Sequence, residues 1–139
     1  MSYSDPSLAM QKGSLSLLKA GATGALVGGR IYDGVPPNAA KPYVSFGPFQ
    51  LLPEHGDCLD GGEAIMTLDV WSIVPGTSST VEVKTIGKAI AADLDRATIT
   101  LDGQHLVELS IEQIQYMRDP DGITAHGIVT VHAWTEPTD

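Results

Sequence analysis

The segment STVEVKTIGKAIAADLDR, residues 79–96, carries the clearest helical pattern in the sequence. Its apolar residues recur every three or four positions, which places them on one face of a helix. They are Val83, Ile86, Ile90 and Leu94. Ser79 and Glu82 have the spacing of a capping box, so the pattern also predicts where the helix begins. A helix with one apolar face needs a second layer to cover it, and the neighbouring segments supply candidate strands.

Strands are predicted on both sides of this helix, at 43–46, 63–74, 107–116 and 123–134. Both faces of 63–74 are partly apolar, so we expect helices on one face and a loop or another subunit on the other. In 107–116 the apolar residues change from odd to even positions, which predicts a bulge near Glu112 and Gln113. A second helix is predicted from residue 6 to residue 20, where Asp5-Pro6 begins it and Gly21 ends it.

These elements predict an α+β fold in a single domain of residues 1–139. Its antiparallel sheet has about four main strands, with two helices packed on one face. Three segments are expected to lack regular structure: a flexible arm at 21–42, a loop at 51–62 and a frayed end at 135–139. The arm is rich in Gly and Pro and has a short extended piece at 30–33. It is either a surface loop, which composition favours, or an arm that lies on a neighbouring subunit.

The charge of the chain is negative and unevenly distributed. The formal net charge is -9, which argues against attraction of nucleic-acid phosphate. No Lys or Arg occurs between Pro42 and Val83, where many of the acidic residues lie. These acids are Glu54, Asp57, Asp60, Glu63, Asp69 and Glu82. We therefore expect a strongly negative surface, which can act by repulsion.

Cysteine content and hydropathy exclude several other classes of protein. Cys58 is the only cysteine, so neither an intrachain disulfide nor a cysteine-based zinc site is expected. The first 25 residues show no signal-peptide pattern. No segment approaches the roughly 20 apolar residues that span a membrane. We expect a soluble chain that is made in the bacterial cytoplasm and has no membrane partner.

Few residues are candidates for chemistry. His55, Asp57 and Cys58 could bind a metal, but the spacing matches no zinc signature and a solvated acidic loop is the favoured interpretation. His126 and His132 share one face of the last strand. They are expected to lie about 20 Å apart, too far to share a metal or a proton, at the surface or an interface. The sequence holds neither a Gly-x-Ser-x-Gly nucleophile motif nor a phosphate-binding loop.

Aromatic residues are the candidates for a binding surface, because they are enriched at interfaces. The candidates are Tyr32, Tyr43, Trp71 and Trp134, with core packing as the alternative role. Trp71 is the strongest of them, since its strand face mixes polar and apolar residues.

Six short blocks carry a family resemblance. They are LVGGRIYDGVP at 26–36, KPYVSFG at 41–47, LDVWS at 68–72, AIAADLD at 89–95, RDPDG at 118–122 and WTE at 134–136. In this order and spacing, the chain resembles the tail completion or tail terminator proteins of long-tailed phages, prophages and gene transfer agents. The resemblance covers roughly residues 15–136.

The resemblance implies a small structural subunit with a tail-terminator-like fold that assembles into a hexameric ring. Such a ring caps the tail tube at its head-proximal end and contacts both the tube protein and the head connector. Genome DNA passes through the lumen without specific binding. The resemblance implies a virion location, and it carries no catalytic residue, metal or cofactor.

Two sets of residues receive hypothetical roles in this ring. The base-free stretch motivates an acidic lumen loop, formed by Glu54, Asp57 and Asp60. The arm and the aromatic residues motivate a subunit interface, formed by Arg30, Tyr32, Tyr43 and Trp71.

Three alternatives stay open at this point. The first is a head-completion or stopper protein of the same kind of particle. The second is a small metal-dependent hydrolase that uses His55, Asp57 and Asp60. The third is a ligand-binding α+β domain without a role in a virion.

Overall fold

A computed structural model describes residues 3–56 and 59–138 of the chain. Its helices are α1 (Ser7–Ala20), α2 (Ala22–Leu26) and α3 (Val81–Leu94). Its strands are β1 (Ile31–Tyr32), β2 (Tyr43–Gly56), β3 (Leu59–Ser72), β4 (Gln104–Arg118) and β5 (Ala125–Pro137). None of the helices in these ranges has the length and apolar character that a bilayer crossing needs.

The strands form one sheet in the order β1-β2-β3-β5-β4. The short β1 pairs parallel with β2, and every other neighbouring pair is antiparallel. The helices pack on one face of this sheet, so the predicted α+β class is confirmed. The prediction was incomplete in two respects, because the described residues hold a fifth strand, β1, and a third helix, α2.

The core lies between α3 and the central strands. The four apolar residues that predicted α3 are all buried, and they pack against alternate residues of β3 and β5 such as Met66, Leu68 and Val131. Burying each of these side chains contributes roughly 1.5–3 kcal/mol. The helical periodicity at 79–96 therefore identified the face that holds the sheet and helices together.

The predicted capping box does not form. The Ser79 hydroxyl accepts a hydrogen bond from the Val81 amide at 3.1 Å, one residue short of the capping-box partner. The Glu82 carboxylate accepts a hydrogen bond from the Ser72 hydroxyl at 2.6 Å. Glu82 thus links the start of α3 to the end of β3. Its bond to Ser72 replaces the local bond to the Ser79 amide that a capping box would use.

The loop predicted at 51–62 was wrong. β2 and β3 continue through this segment as a hairpin, with pairs running from Leu51 opposite Ala64 to Gly56 opposite Leu59. Pro53 is tolerated because β1 covers only the start of β2, so Pro53 lies on an open edge where no ladder hydrogen bond is lost. The register between β2 and β3 shifts between Phe46 and Phe49, where Gly47 and Pro48 interrupt the pairing.

Other boundaries also differ from expectation. The predicted bulge in the fourth strand is confirmed by a register shift between Ile111 and Gln113. The frayed end predicted at 135–139 was wrong for 135–137, because β5 continues to Pro137 and the buried Thr135 hydroxyl donates to the Gly62 carbonyl at 3.3 Å. Pairing with β3 and β4 orders this segment despite its polar composition.

The Asp121 side chain holds the turn between β4 and β5. The Asp121 carboxylate accepts hydrogen bonds from the Thr124 hydroxyl at 2.6 Å and from the amides of Ile123 and Thr124 at 2.9 and 2.8 Å. These bonds, with the Thr124 hydroxyl first, hold the pKa of Asp121 below its usual value. The carboxylate therefore stabilises the turn.

Candidate functional site

The candidate site is the face of the sheet that lies opposite the helices, called the outer face below. Its side chains alternate with those of the core, because successive residues of a strand point to opposite faces. They include Glu63, Ile65, Thr67, Asp69 and Trp71 on β3, and His126, Ile128, Thr130, His132 and Trp134 on β5. No helix of the described ranges lies on this face, so it is open to a partner.

One end of the outer face carries His126 in a polar cluster. The His126 Nε2 lies 2.7 Å from Asp69 Oδ1, and its Nδ1 lies 3.7 Å from Asp119 Oδ1. The imidazole stacks on Trp71, with ring centroids 3.8 Å apart and planes 12° from parallel. Trp71 in turn donates its indole N–H to the Ser45 hydroxyl at 3.3 Å. The cluster holds these side chains in a fixed arrangement.

A second pair of the same kind lies farther along β5. The His132 Nε2 lies 2.7 Å from Glu63 Oε1, and Trp134 packs edge-on against the imidazole at 4.7 Å. His132 is only 7% exposed, whereas Trp134 is 44% exposed. Both histidines had been expected at the surface or an interface, and each proves to be a half-buried or buried partner of a carboxylate.

The two histidine–carboxylate pairs can be compared with the arrangements used in catalytic and metal sites. Within the described residues, no hydroxyl or thiol hydrogen-bonds either imidazole. No group of three His, Cys, Asp or Glu side chains in those same residues is placed to hold a metal. Asp57 and Cys58 lie outside the described residues, as do the side chains of His55 and Asp60. The described pairs fix the positions of four side chains on the outer face.

The predicted interface residues come together at one corner of the outer face. Tyr32 and Tyr43 meet edge to face with centroids 5.7 Å apart, and Tyr43 lies opposite Trp71 in the β2–β3 register. The Arg30 Nε donates to the Pro42 carbonyl at 3.0 Å. Burial raises the pKa of Tyr43, and the nearby Tyr32 adds to the effect. Tyr32, Tyr43 and Trp71 thus form one corner of the outer face, the aromatic corner, and Arg30 bonds to the residue before Tyr43.

The segment predicted as a flexible arm is partly anchored to the fold. The Val44 amide donates to the Arg30 carbonyl at 3.0 Å, which ties β1 to the edge of β2. The Asp93 carboxylate of α3 binds the start of α2 through the amide and hydroxyl of Thr23. Sequence patterns missed α2 because five residues are too few for a helical period to be recognised.

The acidic residues predicted for a lumen belong to the end of the β2–β3 hairpin. Pairing of β3 with β5 begins at Gly62 opposite Thr135, so the hairpin residues beyond that pair have no ladder partner on β5. Glu54 is exposed there and borders a shallow cavity of about 310 Å³ beside Trp134. The backbone of Asp60 lies opposite that of His55.

The pairing of carboxylates with histidines was not predicted. Residue parity places Glu63 and Asp69 on one face of their strand and both histidines on one face of theirs. Which residues meet depends on the register between β3 and β5, which places His126 beside Trp71 and His132 beside Ile65. Odd or even residue number indicates which face of a strand a side chain lies on, but it does not give the register between β3 and β5.

Comparison with known proteins gives one family. The family model "Tail completion protein gp17" matches residues 15–136. No curated protein matches the chain significantly. Solved structures with the same fold include a chain of a virion of a native gene transfer agent (GTA) particle, which is 25% identical with a TM-score of 0.84 over 94% of this chain and 97% of that one.

The gp17 protein of bacteriophage SPP1 is a second similar structure. It is 22% identical, has a TM-score of 0.63, and the alignment covers 92% of this chain and 89% of that one. At this identity the likeness concerns the fold. The family match over most of the chain confirms the resemblance predicted from the sequence blocks. The chain therefore belongs to the tail completion protein gp17 family, whose members are structural proteins of phages and not enzymes.

Proposed function

We propose that this chain is a tail terminator subunit, which forms a hexameric ring at the head-proximal end of a tail tube. The ring stops tube growth and joins the tail to the head connector. The observation that carries the proposal is the similarity in fold to a chain of a gene transfer agent virion over nearly the full length of both. A ring subunit needs interfaces on two flanks. The outer face is one candidate surface, and the surface of α1 and α3 on the opposite side, the helix layer, is the other.

The proposed lumen is lined by the end of the β2–β3 hairpin. The end of the hairpin is not paired with β5, and Glu54 is exposed on it. Asp57 and Asp60 follow within the same short segment, where the sequence has no Lys or Arg. Carboxylates around the channel would repel DNA phosphate, so DNA could slide through without binding.

The aromatic corner is the proposed contact with a neighbouring subunit. Tyr32, Tyr43 and Trp71 combine large apolar area with polar atoms, which is the composition found at interface centres. Arg30 is held beside them by its bond to the Pro42 carbonyl. Truncating these side chains would remove contact area at the interface and leave the core between α3 and the sheet unchanged.

Deleting the gene for this protein from a phage or gene transfer agent that encodes it tests the proposal. We expect electron micrographs to show tails of abnormal length and heads without tails, with both defects reversed by a plasmid copy. Particles with tails of normal length joined to heads would overturn the terminator role. Purified protein that binds isolated heads and never tube ends would assign it to head completion instead.

A further inference from the structure

Lysines are concentrated on the side of the molecule away from the sheet. Lys12 and Lys19 of α1 and Lys84 and Lys88 of α3 are all exposed. Within the described residues none of them forms an ion pair. Helix α1 contains no acid, and the two acids of α3 bond to other elements, Glu82 to Ser72 of β3 and Asp93 to Thr23 of α2. This surface of α1 and α3, the helix layer, is therefore basic in a chain whose net charge is -9.

The outer face has the opposite character. Its carboxylates include Glu63, Asp69, Glu108 and Glu136. Glu63 and Asp69 bond to His132 and His126, and Glu108 lies 3.6 Å from the Arg96 guanidinium, which follows α3. Strands β2 to β5 contain Arg118 as their single Lys or Arg, so acidic residues outnumber basic ones on this face. Arg118 donates to the Ser78 carbonyl in the segment that leads into α3, away from the outer face. The two large surfaces of the subunit thus carry complementary charge.

We propose that neighbouring subunits pack head to tail, with the helix layer of one copy against the outer face of the next. The proposal rests on the proposed ring and specifies how that ring closes. Pairing two copies through the same face would place carboxylates against carboxylates or lysines against lysines, which opposes association. Pairing unlike faces makes a heterologous contact, and repeated rotation about one axis then closes a ring.

Apolar contact supports the same pairing. Leu8 and Val81 are 62% and 71% exposed, and each lies on the helical face that carries the lysines of its helix. At the centre of the outer face, Ile65 and Ile128 are half-buried among threonines. A second copy would cover both apolar groups, and the surrounding charges would set its orientation.

The arrangement is compatible with the acidic lumen. If the outer face and the helix layer of each subunit contact its two neighbours, each sheet lies with its plane running from the rim of the ring toward the axis. The end of the β2–β3 hairpin can then point to the axis, which is where the proposed function places Glu54. The head-to-tail contact and the lumen therefore use different parts of the subunit.

Two charge-reversed variants test the contact. One carries Lys84→Glu and Lys88→Glu on the helix layer, and the other carries Glu108→Lys and Glu136→Lys on the outer face. Each variant alone should lose ring formation by about tenfold or more, measured by native mass spectrometry with tail tubes present where wild type requires them. An equimolar mixture should regain rings that contain equal numbers of the two variants, because every interface then pairs unlike charges.

Matched variants control for general charge effects. Lys84→Arg with Lys88→Arg preserves the charge and should assemble, as should Asp102→Lys in an exposed turn outside both faces. Circular dichroism and thermal melting confirm that every variant is folded. Variants that form rings alone, or a mixture that fails while each control succeeds, would overturn the head-to-tail contact. Wild type that forms no ring on tube ends would overturn the proposed function itself.

Discussion

Tyr116 occupies a slot between two glycines, Gly87 of α3 and Gly127 of β5. A Cβ at Gly87 would overlap the Tyr116 hydroxyl, and one at Gly127 would lie 3.4 Å from the Tyr116 ring and 3.1 Å from Val83. Burial raises the pKa of Tyr116. Gly87 weakens the intrinsic helix propensity of α3, yet it permits the close approach of β4 to the helix.

Replacement of Gly87 by Ala tests this packing. On an open helix surface the change would stabilise the protein by about 1 kcal/mol. Here we expect a loss of about 1–3 kcal/mol in the free energy of unfolding, because Tyr116 must leave its slot. Urea denaturation measures the difference. In a Tyr116→Leu background the same substitution should be neutral or stabilising, and a stabilising effect in the wild-type background would contradict the argument.

The two histidine–carboxylate pairs fix the positions of side chains on the outer face. Asp69 and Glu63 each have an imidazole nitrogen at 2.7 Å, so these partly buried carboxylates are not left without partners. The rings of Trp71 and Trp134 fix the orientation of the imidazoles. The outer face consequently presents a defined shape to a partner.

Among the elements, α2 depends most on tertiary contacts. It has five residues, too few for stability in isolation. The Asp93 Oδ2 of α3 accepts hydrogen bonds from the Thr23 amide at 3.0 Å and the Thr23 hydroxyl at 2.7 Å. Thr23 is fully buried, so loss of the carboxylate would leave two donors without a partner.

We expect Asp93→Ala to lower the free energy of unfolding by about 2–4 kcal/mol, because two hydrogen bonds to a charged group are lost. The amides of α2 should also exchange with solvent faster than those of α1 in hydrogen-exchange measurements. Asp93→Asn keeps an acceptor oxygen and should lose less stability. Unchanged protection of α2 in the Ala variant would show that α2 is held by other contacts.

On the scale of the whole molecule, charge separates the basic helix layer from the acidic sheet. The protein is a structural component of the virion, and its proposed work is done by surfaces and edges. The lumen hypothesis makes a specific prediction about these charges. If the hairpin carboxylates line the lumen, replacing them should change DNA passage and leave assembly intact.

Replacing Glu54, Asp57 and Asp60 together by Lys should leave tails of normal length joined to heads. DNA delivery by those particles should fall by about tenfold or more, because the new charges attract phosphate. Glu54→Gln with Asp57→Asn and Asp60→Asn should have an intermediate effect, and Asp102→Lys is the control on another surface. Delivery at the wild-type rate by the Lys variant would exclude these residues from the lumen.

Much of the fold was predictable because its signals are local. The apolar face of α3, the phase change that marks the β4 bulge and the Asx turn at Asp121 each depend on residues close in sequence. The family could also be recognised, since its blocks keep their order along the chain. Such features need no knowledge of which distant segments meet.

By itself, the sequence determined the α+β class, the core face of α3 and the family. Only the tertiary structure decided that β2 and β3 pair as far as Gly56 and Leu59, that α2 forms, and that each outer-face histidine meets a carboxylate. The physical reason is that strand register and buried hydrogen bonds are set by contacts between residues tens of positions apart. A periodic pattern specifies which face of an element is buried and leaves its partner across the sheet undetermined.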